Sequence, residues 1–312
     1  MERKHRFTFI DLFAGIGGMR IAFERAGGRC VFTSEWDKFA AQTYAANFGD
    51  IPAGDITKVE LGDIPSHNVL LAGFPCQPFS NAGLKLGFDD TRGTLFFDVA
   101  RIIKRRRPEM VLLENVKGFV IHDRGRTHAV VTNVLETLGY VVQSRVLNAS
   151  DFGVPQNRER IYIVAIRADL IHATQFEFPV PPKTPTRVGQ ILERRVDKKY
   201  SLSNKLWSGH KRRLREHRER GNGFGYSLFG PESSRTSTMS ARYYKDGSEI
   251  LIRTRGNPRK ITPREAARLQ GFPDSFLIPV SDTQAYKQFG NSVAVPVVEA
   301  IARSMIRVLR RN

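Results

Sequence analysis

The sequence predicts an α/β fold of the nucleotide-binding type, followed by a smaller and more irregular second domain. Three observations carry that prediction. A strand-like run, Phe7 to Phe13, enters the loop Ala14-Gly15-Ile16-Gly17-Gly18 and then a helical stretch with Met19, Ala22, Phe23 and Ala26 on one face. Short aliphatic runs, of the kind buried in parallel sheets, recur at Val69–Ala72, Met110–Leu113 and Ile161–Ile166. The alternation then stops at Pro179-Val180-Pro181-Pro182-Lys183-Thr184-Pro185, a linker by composition.

The glycine loop is not the dinucleotide fingerprint, because the third glycine of G-x-G-x-x-G would fall on Arg20. Its glycines still allow a ligand close to the backbone. The helix stops at Gly27-Gly28, and a second strand, Cys30–Ser34, ends at Glu35-Trp36. An acid about 20 positions beyond a glycine loop suits ribose hydroxyls, and Trp36 beside it offers a flat face for an adenine ring. In Gly54-Asp55-Ile56, Asp55 is either a turn residue or an acceptor for an exocyclic amine.

Val69–Ala72 leads directly into Gly73-Phe74-Pro75-Cys76-Gln77-Pro78-Phe79-Ser80. Cys76 thus falls just past a strand's carboxyl end, where open α/β sheets place their ligands. Flanking prolines stiffen the loop. The thiol is a candidate nucleophile; the alternative is a small buried hydrophobe in a Pro-rich turn. Gly83 to Gly93 is rich in glycine and charge without periodicity, and reads as a loop able to close over a substrate. A helix follows from Leu95, with Lys104 to Arg107 in its last turn and Pro108 as its stop.

Met110–Leu113 ends in Glu114-Asn115-Val116, which sets a carboxylate at the same strand end as Cys76. A helix carrying Val130, Val131, Val134, Leu135 and Leu138 closes at Gly139, and Val141–Leu147 reads as a strand. Gln156-Asn157-Arg158-Glu159-Arg160 precedes the strand Ile161–Ile166. Arginines entering a strand beside a cleft hold a base or a phosphate, or pair with Glu159. Beyond the linker come the basic run Lys211–Arg220, a hairpin predicted around Asp246-Gly247 within Tyr243–Ile252, and Arg253, Arg255, Arg259 and Lys260. A basic, turn-rich segment with exposed Tyr and Ser/Thr suits nucleic-acid contact. Thr262-Pro263-Arg264-Glu265 is a capping box opening a helix to Gln270. Gln288 to Ser292 then leads into apolar residues 293–298 and a last basic helix, expected to rejoin the first domain. The expected division is 1–175, 176–283 and 284–312.

Across 312 residues, 49 Lys and Arg stand against 31 Asp and Glu, giving a formal charge of +18 and a pI of about 10.3. That excess predicts a polyanionic partner and salt-sensitive binding. No apolar run is long enough to span a bilayer and no signal-peptide pattern opens the chain, so no membrane partner and a cytoplasmic site of action are expected. Two cysteines cannot build a disulfide framework, which fits a reducing compartment. Seven scattered histidines offer no metal-ligand spacing, so no metal is expected.

In order, the blocks Asp11–Gly18, Glu35-Trp36, Gly54-Asp55-Ile56, Gly73–Ser80, Asp89–Phe97, Glu114-Asn115-Val116, Gln156–Arg160, Lys260–Asp274 and Gln288–Ser292 resemble the C5-cytosine DNA methyltransferases of bacterial type II restriction–modification systems. The resemblance covers essentially the whole chain. It implies an S-adenosylmethionine-dependent, Rossmann-like catalytic domain, a smaller target-recognition domain and a terminal segment that returns to the first. It also implies the chemistry. Cys76 would add as a thiolate to carbon 6 of a flipped-out cytosine. Glu114 would hold N3 and the 4-amino group, and Arg160 the O2 side, with Arg158 in support. The base that takes the carbon 5 proton is not identified; a water is one candidate.

For the cofactor, which leaves as S-adenosylhomocysteine, the resemblance implies contacts from Asp11, Phe13, Gly15, Gly17 and Gly18. Glu35 would take the ribose, Trp36 the adenine and Asp55 with Ile56 its amine. Pro75, Asn291 and Ser292 complete the set. Ser80 and Arg92 in the closing loop, and Thr238, Ser240, Arg242, Tyr243 and Lys245 in the small domain, would touch double-stranded DNA. Gly223–Tyr226 and Ser237–Gly247 look like relatives with CCGG, CCNGG or CCWGG targets, although Met239 stands where leucine is usual. The family expectation is a monomer associated with the nucleoid, protecting host DNA from a cognate endonuclease without forming a stable complex with it. Three rivals remain: an RNA cytosine methyltransferase with the same motif order, an amino-group methyltransferase, and a DNA-binding module on an inert scaffold. The arginine-rich domain favours duplex DNA over the first. Pro75-Cys76, where the second would carry Asp/Asn-Pro-Pro-aromatic, argues against it.

Overall fold

The computed structural model describes residues 6–75, 95–170 and 176–309. By contacts the chain forms two compact units. The first comprises Met1–Leu147, Glu159–Val180 and Val297–Asn312; the second comprises Asn148–Arg158 and Pro181–Pro296.

The first unit is built on a six-stranded sheet: β1 (Phe7–Leu12), β2 (Gly28–Ser34), β3 (Val69–Ala72), β4 (Met110–Val116), β5 (Tyr140–Asn148) and β6 (Glu159–Arg167). The strand order is β2-β1-β3-β4-β6-β5. β1 runs parallel to β2 and β3, and β3 parallel to β4, while β6 is antiparallel to β4. All four residues of β3 are fully buried, as expected of a strand covered on both faces. Helices α1 (Gly18–Arg25), α2 (Lys38–Phe48), α3 (Leu95–Arg106) and α4 (Arg126–Thr137) link the strands. From α3, Phe96, Val99, Ala100 and Ile103 join Leu70, Val111 and Ile163 in one apolar core.

The chain leaves β1 towards β2 on one side, then crosses to β3 on the other. The carboxyl ends of β1 and β3 therefore flank a topological switch point, the place where such sheets hold ligands. Because β6 is antiparallel, its first residues lie at that same edge: Arg160 pairs with Val116, and Tyr162 with Glu114.

The second unit is poor in regular structure. It holds α5 (Asn204–Glu219), α6 (Pro263–Leu269), α7 (Asp282–Asn291) and a small sheet of β7 (Leu228–Phe229), β8 (Leu251–Ile252) and β9 (Arg259–Lys260). The capping box forms as read: Thr262 Oγ1 accepts from the Glu265 N–H, and the Glu265 carboxylate accepts from the Thr262 N–H. The predicted hairpin does not form. Residues 241–246 make successive turns instead, and β8 pairs in parallel with β7 and antiparallel with β9. Gly247, at a φ of 67°, ends that turn run rather than a two-residue hairpin loop. A final helix, α8 (Val295–Leu309), ends the chain.

Candidate active site

The glycine loop follows β1 directly. Phe13, Gly15 and Gly17 all have left-handed backbones, with φ of 55°, 56° and 83°. At Gly17 a Cβ would lie 2.2 Å from the Phe48 ring, so packing as well as φ excludes a side chain. At Gly15 a Cβ would meet nothing within 4 Å among the described residues, which leave open space there. Gly17 caps α1 without a side-chain hydrogen bond, while the Arg20 N–H in the helix's first turn donates to the Asp11 carboxylate. Arg20, on the buried face of α1, braces the loop from below through Glu24, Tyr44 and Asp50.

Two acids frame this loop. Glu35 Oε2 accepts from the Gly15 N–H at 2.8 Å, and its Oε1 from the Asp37 N–H at 2.7 Å. Burial raises its carboxyl above the usual range. Trp36 beside it is 80% exposed, so its indole face is free to stack. Asp11, at the end of β1, is wholly buried, and burial pushes its carboxyl up to about 7. Its Oδ2 has no hydrogen-bond partner among the described residues. Asp55 accepts from the Thr57 N–H and hydroxyl through Oδ1, and these bonds hold its carboxyl below the usual range. Through Oδ1 it caps the short turn that begins at Ile56, which is buried.

At the end of β3, Phe74 is locked among the rings of Phe96 and Phe119, at 5.6 and 5.8 Å. Asn115 Nδ2 donates to the Phe74 carbonyl at 2.9 Å, and Asn115 Oδ1 accepts from the Val116 N–H. Pro75 then emerges exposed. Cys76, Ser80, Arg92 and the Gly83–Gly93 loop lie outside the described residues. The other cysteine, Cys30, is half-buried, and burial pushes its thiol up to about 12, which makes it a poor nucleophile. On β4, Glu114 Oε1 sits 3.3 Å from Arg160 Nε, both side chains being largely buried. The Glu114 carboxylate lies over Gly73, where a Cβ would meet its Oε2 in ordinary contact at 3.6 Å. Among the described residues no cluster of His, Cys, Asp or Glu could hold a metal. No described helix is long and apolar enough to cross a membrane.

Other sites read from the sequence fall in the second unit. Arg158 is buried, and its guanidinium donates to the carbonyls of Met239, Gly290 and Ser292 at 3.0, 3.0 and 2.7 Å. Its role here is to hold that unit's backbone. Asn291 is exposed and Ser292 half-buried at the end of α7. Thr238 donates to the Asn157 carbonyl, and Ser240 to the Glu249 carboxylate. Arg242 and Lys245 are exposed. Tyr243, expected to be exposed, is buried; its hydroxyl donates to the Ile250 carbonyl and accepts from the Ile261 N–H. Those bonds make it a core residue. Sequence reading missed Asn115 and Arg20 as supports. The signal for Arg20 was a cation on α1 four residues before Glu24.

A family model described as C-5 cytosine-specific DNA methylase matches residues 7–307. The chain is 61% identical to the type II methyltransferase M.SsoII of Shigella sonnei, over 97% of this chain and 81% of that protein. It is 61% identical to M.NlaX of Neisseria lactamica, over 96% of each, and 47% identical to M.HpaII of Haemophilus parainfluenzae, over 98% and 91%. Among solved structures, a Spodoptera frugiperda DNMT2 variant superposes with a TM-score of 0.78 at 24% identity, covering 97% of this chain and 99% of that one. A putative DNA modification methyltransferase from an Escherichia coli prophage superposes with a TM-score of 0.73 at 24% identity, with the same coverage. At that identity the likeness is one of fold.

Proposed function

The chain belongs to the C-5 cytosine-specific DNA methylases of bacterial type II restriction–modification systems, and from that premise we propose how its own residues carry the reaction. The observation that bears most weight is the Glu114–Arg160 pair at the carboxyl edge of the sheet, beside the anchored Phe74-Pro75 segment. Carbon 5 of cytosine is too weak a nucleophile to take a methyl group directly. Cys76 Sγ adds to carbon 6, and the electron density released reaches carbon 5. Glu114 donates to N3 and accepts from the 4-amino group, which stabilises the adduct as charge develops on the ring. Arg160 keeps the Glu114 carboxyl in place and faces O2. Once carbon 5 is methylated, its proton passes to a base, the Cys76–carbon 6 bond breaks, and the ring is restored. The target must first leave the duplex stack, at a cost of a few kcal/mol.

The methyl donor is S-adenosylmethionine, which supplies an electrophilic sulfonium methyl. The first unit fits it. The open space at Gly15, beside the amino end of α1, suits its carboxylate end. Glu35 suits the ribose and Trp36 the adenine. Target recognition falls to the second unit, with a site of the CCGG, CCNGG or CCWGG type. The protein acts as a monomer, protecting host DNA without a lasting complex with the endonuclease.

The deciding experiment incubates unmethylated genomic DNA with enzyme and cofactor, then sequences it after conversion of unmethylated cytosines. Protection at one short recurring site is expected. Cys76→Ser should abolish protection while DNA binding survives; turnover in that variant would end the covalent mechanism.

A further inference from the structure

We infer that an exposed basic stripe on α5 is a phosphate-binding track that grips duplex DNA. The inference rests on the DNA-methylating reading and goes beyond it, because these residues read no sequence and touch no reacting group.

One face of α5 is taken. Trp207 packs edge-on to Tyr226 with ring centroids 4.6 Å apart, and His217 lies 5.8 Å from Phe224. Leu214 fills the space over Gly225, where a Cβ would come within 2.3 Å of it. The Gly223-Phe224-Gly225-Tyr226 segment therefore seats the helix and fixes its rotation. Beside that face, about a quarter-turn round the helix, run Ser208, Lys211, Arg215 and Arg218, three and four residues apart and all exposed, with the Lys211 ammonium over the Trp207 ring, 5.6 Å from its centroid. Every one of them can donate a hydrogen bond.

Charge pairing separates this stripe from its neighbours. Arg212 Nε lies 3.5 Å from Glu216, and Arg213 Nη2 lies 3.2 Å from Asp246. Lys211, Arg215 and Arg218 pair with no carboxylate among the described residues. From Lys211 to Arg218 the helix rises about 10 Å, roughly three base steps along one strand. Cations at that spacing on a seated helix match a run of phosphates, and phosphate contacts position a protein without specifying bases. A helix that lies on a lipid surface needs its apolar face free. Here Trp207 and Leu214 are already packed inside the unit, so the geometry favours DNA over an anionic membrane.

The test uses the full chain with Lys211→Gln, Arg215→Gln and Arg218→Gln combined. Binding is measured against salt on a duplex of about 30 base pairs that contains the site. Affinity should fall about tenfold or more, and the slope of log K against log salt should shrink by about three. The loss in methylation should fall on KM for the duplex rather than on kcat. The pair Lys205→Gln/Arg212→Gln, which removes two cations from another face, should leave the slope in place. An unchanged slope in the triple variant overturns the inference. So does an equal loss in the control pair, which would make bulk charge the cause. Loss of binding to anionic vesicles with the DNA slope intact would assign the stripe to lipid and also overturn it. Failure of the underlying reading shows separately, as a parent enzyme that methylates no duplex DNA.

Discussion

Asn115 connects the two strands that frame the chemistry. Its side chain joins the Phe74 carbonyl to the Val116 N–H, so the exit of β3 and the exit of β4 are held at one spacing. Asn115→Leu keeps the volume and removes both bonds. A buried polar group left without a partner costs about 1–3 kcal/mol, so the Phe74-Pro75 turn should relax. We expect kcat to fall while calorimetry finds cofactor affinity intact; an unchanged kcat would rule out this positioning role. Glu114→Gln removes the carboxylate that faces Arg160. Turnover should drop by about 10²–10⁴-fold, with the cofactor still bound, and a near-normal rate would remove Glu114 from the mechanism. Asp11 gives a pH signature. Its carboxyl is raised by burial from 3.8 to about 7. Between those values the folded chain holds a proton that the unfolded chain has lost, so this group makes stability fall as pH rises and adds nothing further above about 7. Melting curves from pH 5 to 8 should therefore converge less for the parent than for Asp11→Asn, whose curve lacks that decline. Parallel curves would show that Asp11 does not titrate there.

Elements differ in how openly the sequence declares them. The glycine loop, the buried β3 and the capping box of α6 are set by local rules: a backbone that must turn left, a strand covered on both faces, a helix end that satisfies itself. Each was legible from its own few residues. The Asp246-Gly247 turn was not, because Asp-Gly suits a hairpin only if the strands on its two sides pair with each other, and β8 pairs instead with the earlier β7 and with β9, which follows it. Tyr243 was misread for the same reason: its burial is settled by Ile250 and Ile261, not by its neighbours' polarity. Two substitutions test the locally set elements. In Gly17→Ala the new methyl meets the Phe48 ring at a φ of 83°, so both melting temperature and cofactor affinity should fall. Glu265→Gln breaks a buried pair in which Arg259 donates to both carboxylate oxygens at 2.7 Å. That should destabilise by about 3–5 kcal/mol, against about 1 kcal/mol for the cap variant Thr262→Ala, measured by urea unfolding. Equal effects would mean that the ion pair adds nothing beyond the cap.

At the scale of the molecule, the second unit is not one stretch of chain. Residues 148–158 belong to it, although the sequence places them inside the α/β alternation and a linker at 179–185 suggests a clean boundary. What draws them in is hydrogen bonding that no local pattern announces. Gln156 is fully buried; its Nε2 donates to the Leu269 carbonyl and its Oε1 accepts from the Met239 N–H. The Thr236 N–H donates to the Pro155 carbonyl, and the Asn157 N–H to the Thr236 carbonyl. Arg158 adds three more bonds to backbone carbonyls. A fragment of residues 181–296 loses all of these at once. At about 1–3 kcal/mol for each buried group left unpaired, the loss reaches the whole stability of an ordinary domain, about 5–15 kcal/mol. The fragment alone should therefore show no cooperative thermal transition. A version with residues 148–158 joined to its amino end through a flexible linker should regain one, and adding Arg158→Ala to that version should lower its midpoint sharply. Cooperative melting of residues 181–296 by themselves would mean that the segment decorates this unit rather than completes it.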